Sequence, residues 1–345
     1  MQQTTARYAA HVANHRALRH ATAPNHNVSI ERMPSQANQP LPDGYLLLNY
    51  RITGMLSCGG FSIVYLAKDQ HDQPVVIKEF LPAQLALRQT GDALPSITEE
   101  HAAAFNHGMR CFFEEGRSLA MLSHPNLVRV LDFFRANETA YMVMRYERGR
   151  TLQQHIRARH GKLEEKFLRE MFAQLMNGLR EVHRNRLLHL DIKPANIYIR
   201  NDGSPLLIDF GAARQTLSTD GPRLTPMYTP GFAPPEQYNR RELLGPWSDI
   251  YAVGATLYSC LAGMAPQAAD LRETRDQYTQ ATRLWAGKYS PALLATIDWC
   301  LELDPLQRPQ SVFALQQVLL GKRQPAVLAQ KSFWVRSRAW TRRFF

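Results

Sequence analysis

Between Tyr50 and Asp69 apolar residues alternate with small or polar ones on both sides of Gly59-Gly60. A period of two broken by glycines predicts two antiparallel strands and a turn between them. Pro74–Phe80, with Val75-Val76-Ile77 inside it, predicts a third strand. From Thr98 to Leu122 the period lengthens to that of a helix, carried by Ala104, Phe105, Met109, Phe112, Phe113, Leu119 and Leu122. Two more short strands are predicted over Leu127–Phe134 and Ala140–Tyr146. Beyond Thr151 the pattern is mostly helical: Lys166–Arg184, Trp247–Cys260, Pro291–Leu303 and Ser311–Leu320, with Gly321 as a helix stop. Strands first and helices after predict an α+β chain of two lobes. The small β-rich lobe covers about 45–147 and the larger helical lobe about 148–321, within a domain of 44–321. No internal repeat is visible.

The flanks differ from this body. Residues 1–43 are Ala, Asn, His, Gln and Pro with few large apolar side chains, and read as a flexible polar leader. His11 and His15 have helical spacing for a metal pair, but no third ligand follows, so they read as solvated. Residues 322–345 hold seven Lys or Arg and no acid, together with Phe333, Trp334, Trp340, Phe344 and Phe345. The leader adds four Arg against Glu31 and Asp43, so most of the chain's net charge of +11 sits outside the body. Charge therefore gives no support to nucleic-acid binding by the body. The tail fits an anionic membrane surface, a partner protein or the chain's own domain, with nucleic acid the weakest reading.

Composition narrows the class further. With 45% hydrophobic and 21% charged residues over 345 positions, the chain is globular and long enough for a sizeable core. No apolar run reaches the roughly 18 residues that span a bilayer, and the N-terminus lacks a signal-peptide core. Cys58, Cys111, Cys260 and Cys300 are far apart, with no C-x-x-C pair. A cytoplasmic setting follows as the expectation, with the tail as a candidate peripheral membrane contact.

Four separated clusters carry the chemistry. Leu56-Ser57-Cys58-Gly59-Gly60-Phe61-Ser62-Ile63-Val64 is a turn of small residues between strands, where backbone can approach phosphate oxygens. Lys78 lies near the end of an apolar strand, and pointing inward it needs an anionic partner. His189-Leu190-Asp191-Ile192-Lys193-Pro194-Ala195-Asn196 sets an acid, a cation and an amide on one short loop. The acid can orient or deprotonate a hydroxyl, the lysine can neutralise phosphate, and the amide oxygen can ligate Mg²⁺. Asp209-Phe210-Gly211 follows the apolar strand Leu206-Leu207-Ile208, 18 residues beyond Asp191. No G-x-x-x-x-G-K-[ST], H-E-x-x-H or G-x-S-x-G is present, which leaves P-loop enzymes, zinc proteases and α/β-hydrolases unsupported.

Taken together and in this order, the clusters resemble the signature set of eukaryotic-type (Hanks-type) bacterial Ser/Thr protein kinases, over about residues 45–320. The resemblance implies a bilobal protein-kinase-like fold, ATP and Mg²⁺ as cofactors (Mn²⁺ as an alternative ion), and protein substrates with Ser or Thr acceptors. It implies that residues 56–64 cover the ATP phosphates and that Lys78 contacts the α- and β-phosphates. Asp191 then acts on the substrate hydroxyl, Lys193 approaches the γ-phosphate, and Asn196 and Asp209 bind the metal. The helix partner of Lys78 is expected to be Glu115, because the neighbouring Glu114 faces elsewhere on a helix. Val76 and Met144 belong at the adenine pocket, with Arg145 and Glu147 contributing backbone groups. Glu236 is expected to pair with Arg308, and Asp249 to brace the catalytic loop.

The departures bear on activity. Ser57 and Ser62 stand where the family's first and third glycines sit, Val76 replaces the usual alanine, and Leu190 replaces the arginine before the catalytic aspartate. Cys58 reads as a small neutral filler of the phosphate turn. The degraded turn raises an alternative, a catalytically weak pseudokinase acting as an ATP-binding scaffold. The presence of Lys78, Glu115, Asp191, Asn196 and Asp209 argues for transfer, since a scaffold has no chemical need for all five.

Overall fold

The computed structural model describes residues 38–160, 162–210, 228–239 and 243–325. Its first half is a six-stranded sheet: β1 (Leu46–Leu47), β2 (Tyr50–Cys58), β3 (Ser62–Lys68), β4 (Pro74–Phe80), then helix α1 (Glu99–Ala120), β5 (Val130–Ala136) and β6 (Thr139–Arg145). All neighbours pair antiparallel in the order β1-β2-β3-β4-β6-β5. The register sorts the side chains. Val64, Lys78 and Met142 are cross-strand neighbours on one face, joined there by Leu66, Val76 and Met144. Ile63, Glu79 and Tyr141 stand in the adjacent row and so face the other way.

Helix α1 begins after Thr98, with Glu99 and Glu100 in its first turn where the helix dipole favours acids. Its buried stripe is Phe105, Gly108, Met109, Phe112, Glu115, Gly116 and Leu119, at helical spacing. Phe105 and Phe112 pack on Phe80 with ring centroids 5.2 and 5.8 Å away. A Cβ at Gly116 would come within 3.3 Å of Met142 Cε, so the small residue lets helix and sheet approach.

The second half is helical around a small three-stranded sheet. Its elements are β7 (Gly149–Thr151), α2 (Leu152–Ala158), α3 (Glu165–Arg184), β8 (Ile197–Arg200), β9 (Pro205–Leu207), α4 (Pro235–Asn239) and α5 (Pro246–Ala262). They are followed by α6 (Ala269–Thr274), α7 (Ala281–Leu284), α8 (Pro291–Cys300) and α9 (Val312–Leu319). Helix α5 is buried on nearly every face. At Gly254 an added Cβ would meet Cys300 Cβ at 2.4 Å, so glycine sets the contact of α5 with α8. Gly263 and Gly321 end α5 and α9 at φ 78° and 70°, the conformation glycine takes most readily. No described helix is long and apolar enough to cross a membrane.

Three boundaries differ from the sequence reading by three residues or more. The strand expected from Leu127 starts at Val130, because Leu127 and Val128 are drawn to β9: Val128 N donates to Leu207 O at 3.0 Å, and Leu207 N to Asn126 O at 2.8 Å. The helix expected to run to Leu303 stops at Cys300, and the carbonyls of Glu302 and Leu303 accept from the Arg308 guanidinium instead. Residues 38–43, expected in the flexible leader, are packed on the sheet, with Asn38 and Leu41 buried. Residues 1–37, with His11 and His15, and the tail beyond 325 lie outside the described residues.

Candidate active site

The cleft face of the sheet presents Lys78 from β4, and its ammonium forms an ion pair with Asp209 Oδ1. Asp209 sits just after β9 at φ 60°, a left-handed conformation that is uncommon for a non-glycine residue. Burial raises its carboxyl pKa, but Lys78 and Lys193 outweigh burial and hold it at about 2. Asp209 is therefore an anion throughout the neutral range, as a hard-cation ligand must be.

The catalytic-loop candidates converge with short bonds. Asp191 Oδ2 accepts from Lys193 Nζ and Asn196 Nδ2, both at 2.8 Å, and Oδ1 accepts from Thr229 Oγ1 at 2.9 Å. Lys193 Nζ also donates to Thr229 Oγ1 at 2.8 Å, which closes a ring of acid, cation and hydroxyl. Asn196 is buried in a single 3-10 turn after Pro194, and its Nδ2 bonds back to Asp191 O at 2.9 Å. With the amide nitrogen committed, its oxygen is the atom left to serve as a metal ligand. One carboxylate and one amide oxygen suit an ion that keeps several water and phosphate ligands, as Mg²⁺ does.

The loop is anchored from below. Asp249, fully buried on α5, accepts from Leu190 N at 2.8 Å, His189 N at 3.0 Å and His183 Nε2 at 2.7 Å. Burial raises its pKa, but the His183 bond and the backbone N–H donors hold it below the usual carboxylate value. The brace expected from the sequence is therefore present, and His183 is an unforeseen third contact. His189 is buried, and burial lowers its pKa. Asp191 N donates to His189 Nδ1 at 3.2 Å, so Nε2 carries the proton of a neutral imidazole and donates to Ile208 O at 3.3 Å. The ring also packs on Phe210, centroids 4.3 Å apart.

The other named residues are placed as follows. Val64, Val76 and Met144 share the face of Lys78, partly buried. Ile63 does not: its side chain is fully buried on the face of Glu79 and Tyr141. Leu56, Ser57, Cys58, Gly59 and Gly60 are exposed, with Phe61 and Ser62 partly so, and Gly59 N closes the turn on Ser62 O at 2.9 Å. At the end of β6, Arg145 gives its N–H to Arg129 O at 3.0 Å. The Glu147 carboxylate pairs with Arg200 Nε at 3.0 Å, and the Glu147 carbonyl accepts from Tyr198 Oη at 3.3 Å. Glu115 is buried and Glu114 exposed. Glu236 and Arg308 form the expected buried pair at 2.7 and 3.1 Å, with Ser248 Oγ donating to the same carboxylate. Gly211 and the acceptor candidates Thr216, Ser218, Thr219 and Thr225 lie outside the described residues.

Known proteins share this fold. A family model described as the protein kinase domain matches residues 50–320. Serine/threonine-protein kinase C of Synechocystis is 32% identical over 291 residues, covering 80% of this chain and 50% of that protein. Serine/threonine-protein kinase pkn3 of Myxococcus xanthus is 31% identical over 288 residues, 78% of this chain and 49% of that one. The chain thus spans about half the length of these relatives. Among solved structures, "PpkA-294 apo form" superposes with a TM-score of 0.71 at 35% identity, over 81% of this chain and 99% of that one. A point mutant of the Mycobacterium tuberculosis PknI kinase domain gives 0.61 at 21% identity over 82% and 99%, a likeness of fold alone.

Proposed function

Because the chain belongs to the protein kinase family, with that family's two-lobed fold, we propose that it transfers the γ-phosphoryl group of ATP to Ser or Thr hydroxyls of protein substrates. The observation that carries this reading is the ring that Thr229 closes with Asp191 and Lys193 of the loop fixed by Asp249, beside the Lys78–Asp209 pair. A scaffold that only binds nucleotide has no use for a carboxylate held by three donors.

Each residue has a role in the transfer. Asp191 orients the acceptor hydroxyl and takes its proton as the oxygen bonds to the γ-phosphorus and the bond to the bridging oxygen of ADP breaks. Thr229 and Lys193 hold Asp191, and the Lys193 ammonium offsets charge on the phosphoryl oxygens. Lys78 anchors the α- and β-phosphates, and Glu115 orients Lys78. The turn of residues 56–64 covers the phosphates. Val76 and Met144 bound the adenine, which bonds to backbone groups of Arg145 and Glu147. Asp209 and Asn196 would hold Mg²⁺, which when bound neutralises phosphate charge; Mn²⁺ has the same hard oxygen chemistry.

The basic aromatic tail, outside the described residues, fits an anionic membrane surface or a partner protein. Co-sedimentation of the full chain with anionic vesicles tests the first of these. For the central proposal, the decisive measurement is transfer of label from radiolabelled ATP with Mg²⁺ to a protein acceptor. The wild type should label the acceptor and Asp191→Asn should not. Equal labelling by both would refute the assignment.

A further inference from the structure

The cleft uses one face of the β-rich lobe, and a second buried polar assembly occupies the other. Its centre is Glu79, next to Lys78 in β4 and turned the opposite way. Arg88 clamps it with Nη1 on Oε1 at 2.6 Å and Nη2 on Oε2 at 2.7 Å, and both side chains are fully buried. Tyr65 and Tyr141 donate to the same carboxylate at 2.7 and 2.6 Å.

Arg88 comes from the segment after β4, and residues 38–41 close over it. The Asn38 side chain uses both of its ends: Nδ2 donates to Leu81 O at 3.2 Å and Ala86 O at 3.1 Å, and Oδ1 accepts from Arg88 N at 2.6 Å. Arg88 Nε donates to Gln39 O at 2.8 Å, Gln39 N to Arg88 O at 3.1 Å, and Leu41 N to Tyr65 Oη at 3.1 Å. Three of these bonds fix the curve of residues 81–88 through one buried amide.

That curve in turn holds the phosphate turn. Leu81 N donates to Phe61 O at 3.0 Å and Ala83 N to Gly60 O at 2.9 Å. Pro82 between them has no N–H and a fixed φ, so the two donors are set by the chain's own stiffness. The Cys58 thiol rests on Asn38 O at 3.8 Å. An exposed glycine-containing turn is otherwise free to sample many conformations, and ordering it opposes ligand binding. Here the carbonyls of Gly60 and Phe61 are already engaged by residues 81–83.

We propose that residues 38–41 and 81–88 form a clasp that preorganises the phosphate turn for ATP, with Asn38 as its positioning residue. The proposal rests on the kinase reading, since it assigns the turn to nucleotide phosphates. The clasp supplies the order that Ser57 and Ser62 alone do not give. It also ties the turn to β4, so the two parts of the lobe that meet the phosphates are held by one network.

The test uses the full chain, comparing wild type with Asn38→Ala. Steady-state transfer at saturating acceptor gives KM for ATP and kcat, and hydrogen exchange follows peptides covering 58–64, 81–88 and 246–262. The expected result is a rise of about 5–10-fold in KM with kcat within about twofold, the affinity scale of partial loss of preorganisation. Exchange should rise over 58–64 and 81–88 and stay unchanged over 246–262. Asn38→Asp keeps the acceptor for Arg88 N and removes only the two N–H donors, and it is scored by the same readouts if the alanine variant does not fold. An unchanged KM with faster exchange, or a fall in kcat without a KM shift, overturns the clasp as a nucleotide-positioning device. An active wild type with either result sinks the clasp alone, whereas a wild type that binds no ATP sinks the proposed function and the clasp with it.

Discussion

Asp191 keeps three side-chain donors on its carboxylate, and its own removal differs in consequence from that of Asp209. Asp191→Ala should leave ATP affinity within about twofold and lower kcat by about 10²–10⁴-fold, the usual range for a lost acid–base group. Asp209→Asn should instead raise the Mg²⁺ concentration needed for half-maximal rate, because the ligand charge that Lys78 stabilises is gone. Initial rates at saturating ATP decide the first and a Mg²⁺ titration of the rate decides the second, with contaminating kinases excluded. Undiminished transfer by Asp191→Ala, or an unchanged Mg²⁺ requirement in Asp209→Asn, counts against the site. His189 gives a pH prediction. Its folded pKa lies below the ordinary value of about 6.5, so the unfolded chain binds the extra proton as pH falls. Stability should be level above about pH 7 and decline below about 6.5. Denaturation midpoints at pH 5.5 and 7.5 should differ less in His189→Gln than in the wild type; an equal difference would show that other histidines carry the slope. Asp191, Lys193, Asn196 and Asp209 were legible in the sequence because their chemistry is packed into short loop motifs. Arg88 and Glu79 were not, because an arginine in an irregular segment has no periodicity to announce its burial.

Among the elements, α1 was the most legible, since Phe105, Met109, Phe112 and Leu119 repeat at helical spacing and all prove buried. The same spacing separates Glu115 from Glu114, and burial of the first and exposure of the second give the choice a measurable form. Glu115→Gln should lower kcat about tenfold, about 1.4 kcal/mol in the barrier, by loosening Lys78, with Glu114→Gln near wild type. Lys78→Met should be more severe, about 10²-fold or beyond, because the phosphate anchor itself is lost. A damaging Glu114→Gln beside a neutral Glu115→Gln would place the functional register one residue earlier. Strand ends were less legible. Leu127 and Val128 have strand-like side chains, but their backbone is claimed by β9, and a competition between two sheets leaves no trace in a single-strand pattern. The packing of residues 38–43 was hidden for a similar reason: short polar residues such as Asn38 act through hydrogen bonds, which hydrophobic periodicity does not register.

At the scale of the whole molecule, the catalytic loop draws its position from the interior of the helical lobe. Leu190 is buried at φ 58°, its N–H donates to Asp249 and its carbonyl accepts from Gln237 Nε2 at 2.9 Å. Asp249 belongs to the central helix α5, and Gln237 lies in α4 beside Glu236, which Arg308 fixes in turn. A left-handed leucine costs about 1–3 kcal/mol, so the loop is held there by these anchors rather than by its own preference. The arginine that the resemblance leads one to expect at 190 would offer a cation to a phosphorylated activation segment, and leucine offers no donor. Phosphate arriving at Thr216, Ser218, Thr219 or Thr225, residues outside the described ones, would find Arg214 or Arg223 close in sequence but no arginine on the loop itself. Activity should therefore depend on segment phosphorylation by less than about tenfold, about 1.4 kcal/mol in the barrier. The measurement is an initial rate on an exogenous substrate after phosphatase treatment, with dephosphorylation verified by mass spectrometry and assay times short enough to limit fresh autophosphorylation. A rate that collapses a hundredfold on dephosphorylation and returns with phosphate would show that another cation has taken over the missing role, and that Asp249 and Gln237 do not suffice to hold the loop.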